Sequence, residues 1–196
     1  ECDRVREGYP GGLSNLLPVG RCFCGYDAVG GIACWGCDDE ALLELIPEKY
    51  THLSGRGDHQ CGLTGGGDIE CWGSNDHGQC DVPDGSYIAV SAGRIHTCGV
   101  ASNGTLHCWG WNDSGQCDAP TGAFVEVSAA WRHTCGMRET GTIECWGCQE
   151  GVLEDGQCSE PTGTYSAVDT DAIHSCALSK EGGIACGGNN HDGQCD

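Results

Sequence analysis

The fold is decided by one stretch of sequence, His96-Thr97-Cys98-Gly99-Val100-Ala101-Ser102-Asn103-Gly104-Thr105-Leu106-His107-Cys108-Trp109-Gly110, whose pattern recurs along the chain. Its first cysteine recurs at successive intervals of 37, 37, 37 and 41 residues, and a second cysteine follows each one ten residues later. The sixth residue after each first cysteine is glycine, and the eighth is Ile or Leu. Such self-similarity indicates a repeat architecture. The cysteine pairs are 24/34, 61/71, 98/108, 135/145 and 176/186, that is Cys24 and Cys34, Cys61 and Cys71, Cys98 and Cys108, Cys135 and Cys145, and Cys176 and Cys186.

The quoted stretch predicts a β-hairpin with a three-residue loop at residues 102–104. The glycine in the third loop position suits the positive φ that this type of loop requires. Pairing outward from the loop sets Val100 opposite Leu106 and Cys98 opposite Cys108. Cysteines that face each other across neighbouring strands are close enough for a disulfide. Each repeat is therefore predicted to have one aliphatic, disulfide-braced face.

Two further segments flank each hairpin. An alternating run such as residues 87–90 precedes it, and a polar segment ending in Gly-Gln-Cys, as at Cys80, follows it. Four short strands in about 37 residues are typical of one propeller blade. The chain is thus predicted to be all-β: a β-propeller, or propeller-like array, of about five four-stranded, disulfide-braced blades. We expect a single repeat domain over residues 1–196, with blade units at approximately 1–43, 44–80, 81–117, 118–158 and 159–196.

The recurring pattern Ser-Ala-Gly-x-x-His-Thr-Cys, Gly-Thr-x-x-Cys-Trp-Gly and Asn-x-x-Gly-Gln resembles the repeat of the regulator-of-chromosome-condensation family. It is especially similar to the propeller-type β-lactamase inhibitory protein and to the ectodomain repeats of crinkly-type plant receptor kinases. The resemblance extends over nearly the whole chain, because four anchors recur at fixed offsets. It implies a β-propeller, usually of seven blades, whereas this chain has five units.

Composition restricts the class of protein. Eighteen of the 196 residues are cysteines, which is typical of chains from an oxidising compartment. The formal net charge is −20, from 29 acidic and 9 basic residues, and such a surface repels the phosphates of nucleic acids. No apolar run approaches membrane-spanning length, so membrane insertion is not expected. We therefore expect a secreted, extracellular protein, either a mature chain or an excerpt of a longer one.

The cysteines outside the hairpins divide into two groups. Cys148 with Cys158, and Cys2 with Cys22, are predicted to form local disulfides. No partner is assigned to Cys37, Cys80, Cys117 and Cys195, and one interpretation is that some of these link chains together. The segments 34–37 and 145–148 match the Cys-x-x-Cys spacing of redox and zinc sites. A structural interpretation is favoured, because the first cysteine of each already has a hairpin partner.

No catalytic, cofactor-binding or metal-binding residues are predicted. A histidine precedes four of the five first cysteines by two residues, and these histidines are interpreted as hydrogen-bonded strand residues; they are His59, His96, His133 and His174. The acidic surface would attract Ca²⁺ or a basic partner, but no recognisable calcium-binding loop supports Ca²⁺. The segment 131–134, Trp-Arg-His-Thr, is similar to a motif of a plant ultraviolet photoreceptor. The residues equivalent to Trp131 are not tryptophans in the other repeats, which argues against photoreception.

Two sequons predict N-glycosylation, at Asn103 in the hairpin loop and at Asn112. Both require a eukaryotic secretory pathway.

The sequence favours a non-enzymatic extracellular module that binds protein or assembles into a larger surface or fibrous structure. Its partners would be proteins, copies of itself included, with no nucleic acid among them. Two alternatives remain open: a secreted inhibitor of a hydrolase, by similarity to the β-lactamase inhibitory protein, and a receptor ectodomain. A carbohydrate-active enzyme or lectin would need a carboxylate pair or an exposed aromatic platform, and the sequence shows neither.

Overall fold

A computed structural model describes the backbone of residues 14–19, 22–26 and 32–35, and both backbone and side chains of residues 50–148, 156–159 and 162–196. These residues form fifteen β strands in five antiparallel three-stranded sheets, each made of three consecutive strands. The strands are β1 (Ser14–Val19), β2 (Cys22–Tyr26), β3 (Ile32–Trp35), β4 (Tyr50–Ser54), β5 (His59–Thr64), β6 (Ile69–Gly73), β7 (Tyr87–Ala92), β8 (His96–Ala101), β9 (Leu106–Gly110), β10 (Glu126–Ala129), β11 (Thr134–Met137), β12 (Ile143–Trp146), β13 (Tyr165–Thr170), β14 (His174–Ser179) and β15 (Ile184–Gly188).

The hairpin register predicted from the repeat is confirmed. In the third sheet, β8 pairs with β9 so that Cys98 lies opposite Cys108 and Val100 lies opposite Leu106. Gly104 closes the loop at φ 84°, and its N–H donates to the carbonyl of Ala101 at 2.8 Å. Only glycine readily adopts the left-handed backbone conformation at this point, which explains the glycine at this position of every repeat.

Each described sheet has three strands, one fewer than predicted for a blade. The Gly-Gln-Cys segment, expected to supply the fourth, forms turns instead. The Asn75 side chain closes one such turn: its oxygen accepts from the Cys80 N–H and its amide donates to Asp81, both at 2.8 Å. The Gln79 side chain accepts from the His77 N–H at 2.9 Å. Side chains thus satisfy backbone groups that a strand would offer to a neighbouring strand.

A glycine in the middle strand is required by close packing within the sheet. A Cβ atom on Gly99 would lie 2.8 Å from the ring of Tyr87, which packs across it. Gly136 has the same relation to Phe124, at 2.7 Å. Aromatic residues at or just before the start of the first strand, Tyr87 and Phe124, therefore pack against the middle strand of their own sheet.

The core consists of apolar layers between consecutive sheets. Between the third and fourth sheets, Val100 and Leu106 pack with Phe124, Val127 and Trp146. Equivalent layers lie between the second and third sheets and between the fourth and fifth. Full burial of one such side chain stabilises the fold by roughly 1.5–3 kcal/mol. Stability of these sheets therefore depends on each having a neighbour.

Candidate interaction surfaces

In the second, third and fourth sheets, the next sheet covers the face of the hairpin that carries the disulfide and two aliphatic side chains. We call it the receiving face. Its aliphatic residues are only 0–8% exposed in the second, third and fourth sheets. These residues are Leu63, Ile69, Val100, Leu106, Met137 and Ile143.

The receiving face of the fifth sheet is uncovered. At the equivalent positions, Leu178 is 41% exposed and Ile184 is 73% exposed. Both side chains border a cavity of about 680 Å³, which is also lined by residues of the first strands of the second to fifth sheets, among them Val90 and Val127. Adjacent exposed aliphatic residues in a strand pattern are typical of an interaction site.

A repeated polar network joins consecutive sheets beside the apolar layers. The Thr134 hydroxyl donates to the Gln116 carbonyl at 2.9 Å, and so accepts the hydrogen bond from Nε2 of His96, also at 2.9 Å. The Trp146 indole N–H donates to the same carbonyl at 2.9 Å. The network is repeated by His59 with Thr97 and Gln79, and by His133 with Ser175 and Gln157.

These histidines are structural groups that stay neutral at neutral pH. Burial lowers the pKa of His96 to about 3. Burial likewise lowers the pKa values of His59 and His133 to about 4. A neutral ring that donates through Nε2 suits an inter-sheet hydrogen bond, because protonation would place an unpaired charge in the core.

The structure brings together five of the cysteine pairs named from the sequence. They are Cys61–Cys71, Cys98–Cys108, Cys135–Cys145, Cys148–Cys158 and Cys176–Cys186. Cys24 lies opposite Cys34 in the pairing of β2 with β3. Cys2 and Cys37 lie outside the described residues, so the pairing of Cys2 with Cys22 stays a prediction.

Three Gly-Gln-Cys turns carry free thiols in the structure, at Cys80, Cys117 and Cys195, whereas Cys158 of a fourth such turn is disulfide-bonded. Those of Cys80 and Cys117 each donate to a backbone carbonyl at 3.4 Å. Burial, with Asp118 nearby, raises the pKa of Cys117 to about 12, and burial also raises the pKa of Cys80. Because the thiolate is the reactive species, these two thiols are poorly suited to exchange. Intermolecular disulfides through them are therefore disfavoured.

The two sequons have different surroundings. Asn103 is exposed at the tip of its loop, where its oxygen accepts from the Thr105 N–H at 2.9 Å. Asn112 closes a turn through both ends of its amide, donating to Asp118 at 2.9 Å and accepting from the Cys117 N–H at 2.7 Å. Only Asn112 therefore uses its amide nitrogen in the fold, which favours Asn103 as the glycan acceptor.

A cluster of arginine and tryptophan side chains lies at two turns between first and second strands and at the residue that follows β9. The Arg94 guanidinium carbon is 4.6 Å from the centroid of Trp131. That of Arg132 is 5.2 Å from Trp131 and 5.4 Å from Trp111. We call these four residues the Arg–Trp cluster. Trp131 and Arg132 belong to the Trp-Arg-His-Thr motif of the sequence, whereas Arg94 comes from another repeat and was not predicted.

The described residues offer no metal centre, because nowhere among them do three His, Cys, Asp or Glu side chains converge. Within the same part of the chain, no helix has the length and apolarity needed to cross a bilayer.

Comparison with known proteins identifies the repeat. Residues 87–116 match the family model of the regulator of chromosome condensation (RCC1) repeat. No curated protein matches the chain in sequence.

Solved propeller structures are similar to the fold. The ectodomain of receptor kinase CR4 from Physcomitrella patens is 26% identical, with a TM-score of 0.72 over 92% of this chain and 53% of that one. The CRINKLY ectodomain of ACR4 from Arabidopsis thaliana is 18% identical, with a TM-score of 0.68 over 94% of this chain and 66% of that one.

A yeast protein has a similar fold. Prp20p from Saccharomyces cerevisiae, a yeast RCC1 whose binding to Gsp1p and histones is described, is 16% identical, with a TM-score of 0.70 over 93% of this chain and 60% of that one. The chain thus spans about half to two thirds of the length of these structures. The resemblance predicted from the sequence is therefore confirmed: the chain carries an RCC1 repeat, and its all-β fold is similar to that of RCC1-type propellers.

Proposed function

We propose that this chain is a non-enzymatic, extracellular interaction module that assembles head to tail with copies of itself. The observation that carries the proposal is the uncovered receiving face of the fifth sheet. Leu178 and Ile184 are exposed there, whereas the equivalent residues of three other sheets are buried. Burying the exposed part of both side chains would favour association, by less for each than the roughly 1.5–3 kcal/mol of a full burial.

The proposed occupant is the first sheet of a second copy. Elsewhere a receiving face packs against the first strand and the tryptophan of the next sheet, as Val90 and Trp109 show. By register, Trp35 holds the tryptophan position in the first sheet, and β1 is its first strand. The contact would join two different surfaces of the same protein, and repeated head-to-tail contacts build rings or filaments.

The net charge of the chain makes this assembly depend on salt concentration. Each copy carries a formal net charge of −20, so copies repel one another at low ionic strength. Salt screens that repulsion, because the Debye length falls from about 30 Å at 0.01 M to about 8 Å at 0.15 M. We therefore expect assembly to strengthen as salt concentration rises.

The test is sedimentation velocity under non-reducing conditions, across protein and salt concentrations. The wild type should form dimers and larger species as concentration rises, and Ile184→Asp should remain monomeric. Ile88→Asp is the matched control, because Ile88 is also exposed, at 52%, but lies on β7 outside the receiving faces. Two results would refute self-assembly: a wild type that is monomeric throughout, or an Ile184→Asp variant that loses stability without any change in mass.

A receptor ectodomain is the second candidate, supported by the similarity to the CR4 and ACR4 ectodomains. It shares the proposed extracellular location, which the disulfides also support. A display experiment on plant or animal cells would separate the two candidates, because a receptor module should bind a second protein while monomeric. The hydrolase-inhibitor alternative stays a prediction.

A further inference from the structure

The Arg–Trp cluster holds two cationic side chains on one indole ring. Arg94 and Arg132 both lie within 5.2 Å of Trp131, measured from guanidinium carbon to ring centroid. The backbone fixes this arrangement: the N–H of Arg94 donates to the Ala130 carbonyl at 3.0 Å and joins the two turns. A Cβ atom on Gly57 would lie 2.3 Å from the Arg94 carbonyl, so the turn of the second sheet packs equally closely.

These two guanidiniums have no ion-pair partner among the residues that the structure describes. The chain carries 29 acidic residues, and its other described arginines do have partners. Arg56 pairs with two aspartates, and Arg138 pairs with Glu144 at 2.5 Å. Like charges on one ring repel each other, so a carboxylate placed between their edges would lower the free energy.

We propose that the Arg–Trp cluster binds a carboxylate-rich segment of a protein partner. Guanidinium presents its donors in a planar fork that matches a carboxylate, and stacking on indole fixes the orientation of the fork before binding. A cavity of about 340 Å³, lined by Arg94 and Trp131, gives a peptide access to the cluster. This site is separate from the receiving face of the fifth sheet, so it does not rest on self-assembly.

Carboxylates of the cavity wall determine the strength of binding. Asp58 and Asp171 also line the cavity. Asp171 lies 3.7 Å from the Arg56 guanidinium, so these two charges offset each other. At 0.15 M salt the Debye length is about 8 Å, which screens the distant acidic surface but not Asp58. Asp58 is therefore the group that opposes an acidic ligand most directly.

The experiment measures binding of fluorescein-labelled hexaglutamate to the full chain at 0.15 M salt, by anisotropy and by quenching of tryptophan fluorescence. Arg94→Gln should weaken binding about tenfold or more, and Arg94→Lys should weaken it less. Asp58→Asn should tighten binding several-fold. Lys180→Gln is the matched control, because it removes one exposed positive charge away from the cluster and should leave affinity unchanged.

Thermal unfolding of each variant checks that the fold is intact. The inference is overturned if hexaglutamate does not bind the wild type, or if Arg94→Gln and Lys180→Gln weaken it equally. It is also overturned if hexalysine binds the cluster more tightly than hexaglutamate. The opposite effects of Arg94→Gln and Asp58→Asn on affinity, with Lys180→Gln unchanged, would establish the site.

Discussion

The fourth and fifth sheets have nearly the same hairpin but different surroundings. Both have a disulfide between opposed cysteines and an Ile at the start of the third strand. Ile143 of the fourth sheet is 5% exposed because Tyr165 and Val168 of the fifth sheet pack over it. Ile184 of the fifth sheet is 73% exposed. Local sequence thus forms the hairpin, whereas burial depends on whether a neighbouring sheet is present.

The two sheets also differ in packing but not in their disulfide, so the two contributions to stability can be distinguished. Each hairpin disulfide closes a loop of ten residues, which stabilises by about 2–3 kcal/mol in the chain-entropy model. That effect acts through the unfolded chain and is the same in both sheets. The fifth sheet can therefore keep its hairpin without a neighbour on its receiving face.

The largest expected effect comes from placing a charge in each of the two hairpins. Ile143→Asp should destabilise the fold by about 4 kcal/mol, because it buries an unpaired carboxylate. Ile184→Asp should change stability by no more than about 0.5 kcal/mol at low protein concentration, since its side chain remains in water. Urea denaturation measures both values. Equal losses of unfolding free energy in the two variants would show that Ile143 and Ile184 are equally buried, which would contradict the difference between the two sheets.

A smaller difference is expected between equivalent histidines of the third and fifth sheets. His96→Ala should destabilise by about 3 kcal/mol, because it opens a cavity and removes the hydrogen bond to Thr134. His174 is only half-buried, and His174→Ala should lose about 0.5 kcal/mol or less. Thermal unfolding of the two variants tests this. A larger loss for His174→Ala would mean that its ring has a neighbouring sheet as partner.

The pH dependence of stability tests whether the buried histidines stay neutral in the folded protein. Burial lowers the pKa of His59 from 6.5 to about 4, so the unfolded chain takes up a proton first as pH falls. Stability from this group is complete above about pH 6.5 and is lost towards pH 4, by up to about 3 kcal/mol. His59→Gln keeps an N–H donor but cannot titrate. Its stability should fall less steeply over this range, and an unchanged slope would contradict the role of His59.

The sequence predicts local structure well because that structure depends on neighbours in the chain. The loop glycine at 104 and the ten-residue cysteine spacing are enough to predict the register of β8 and β9. The fourth strand was predicted wrongly, because Asn75 closes its segment into a turn by hydrogen bonds within the segment. The alternation and length of a segment do not by themselves show whether it forms a strand or a turn.

The candidate surfaces could not be predicted, because they depend on contacts between repeats. Ile184 has the same local pattern as Ile143, and only the neighbouring sheet distinguishes them. Arg94 and Trp131 are 37 residues apart in sequence and meet only when two turns pack side by side. A periodic alignment of the repeats would place both at the same turn position, which is the signal that could have revealed the cluster.

The most direct test of the account is hydrogen exchange of β15 compared with β12, measured by mass spectrometry at low and high protein concentration. The account predicts that β15 amides exchange faster than those of β12 when the protein is dilute. They should become protected at high concentration, as second copies cover Leu178 and Ile184, while β12 stays unchanged. Slow exchange of β15 at every concentration would contradict the central claim, because the receiving face of the fifth sheet would then already be covered.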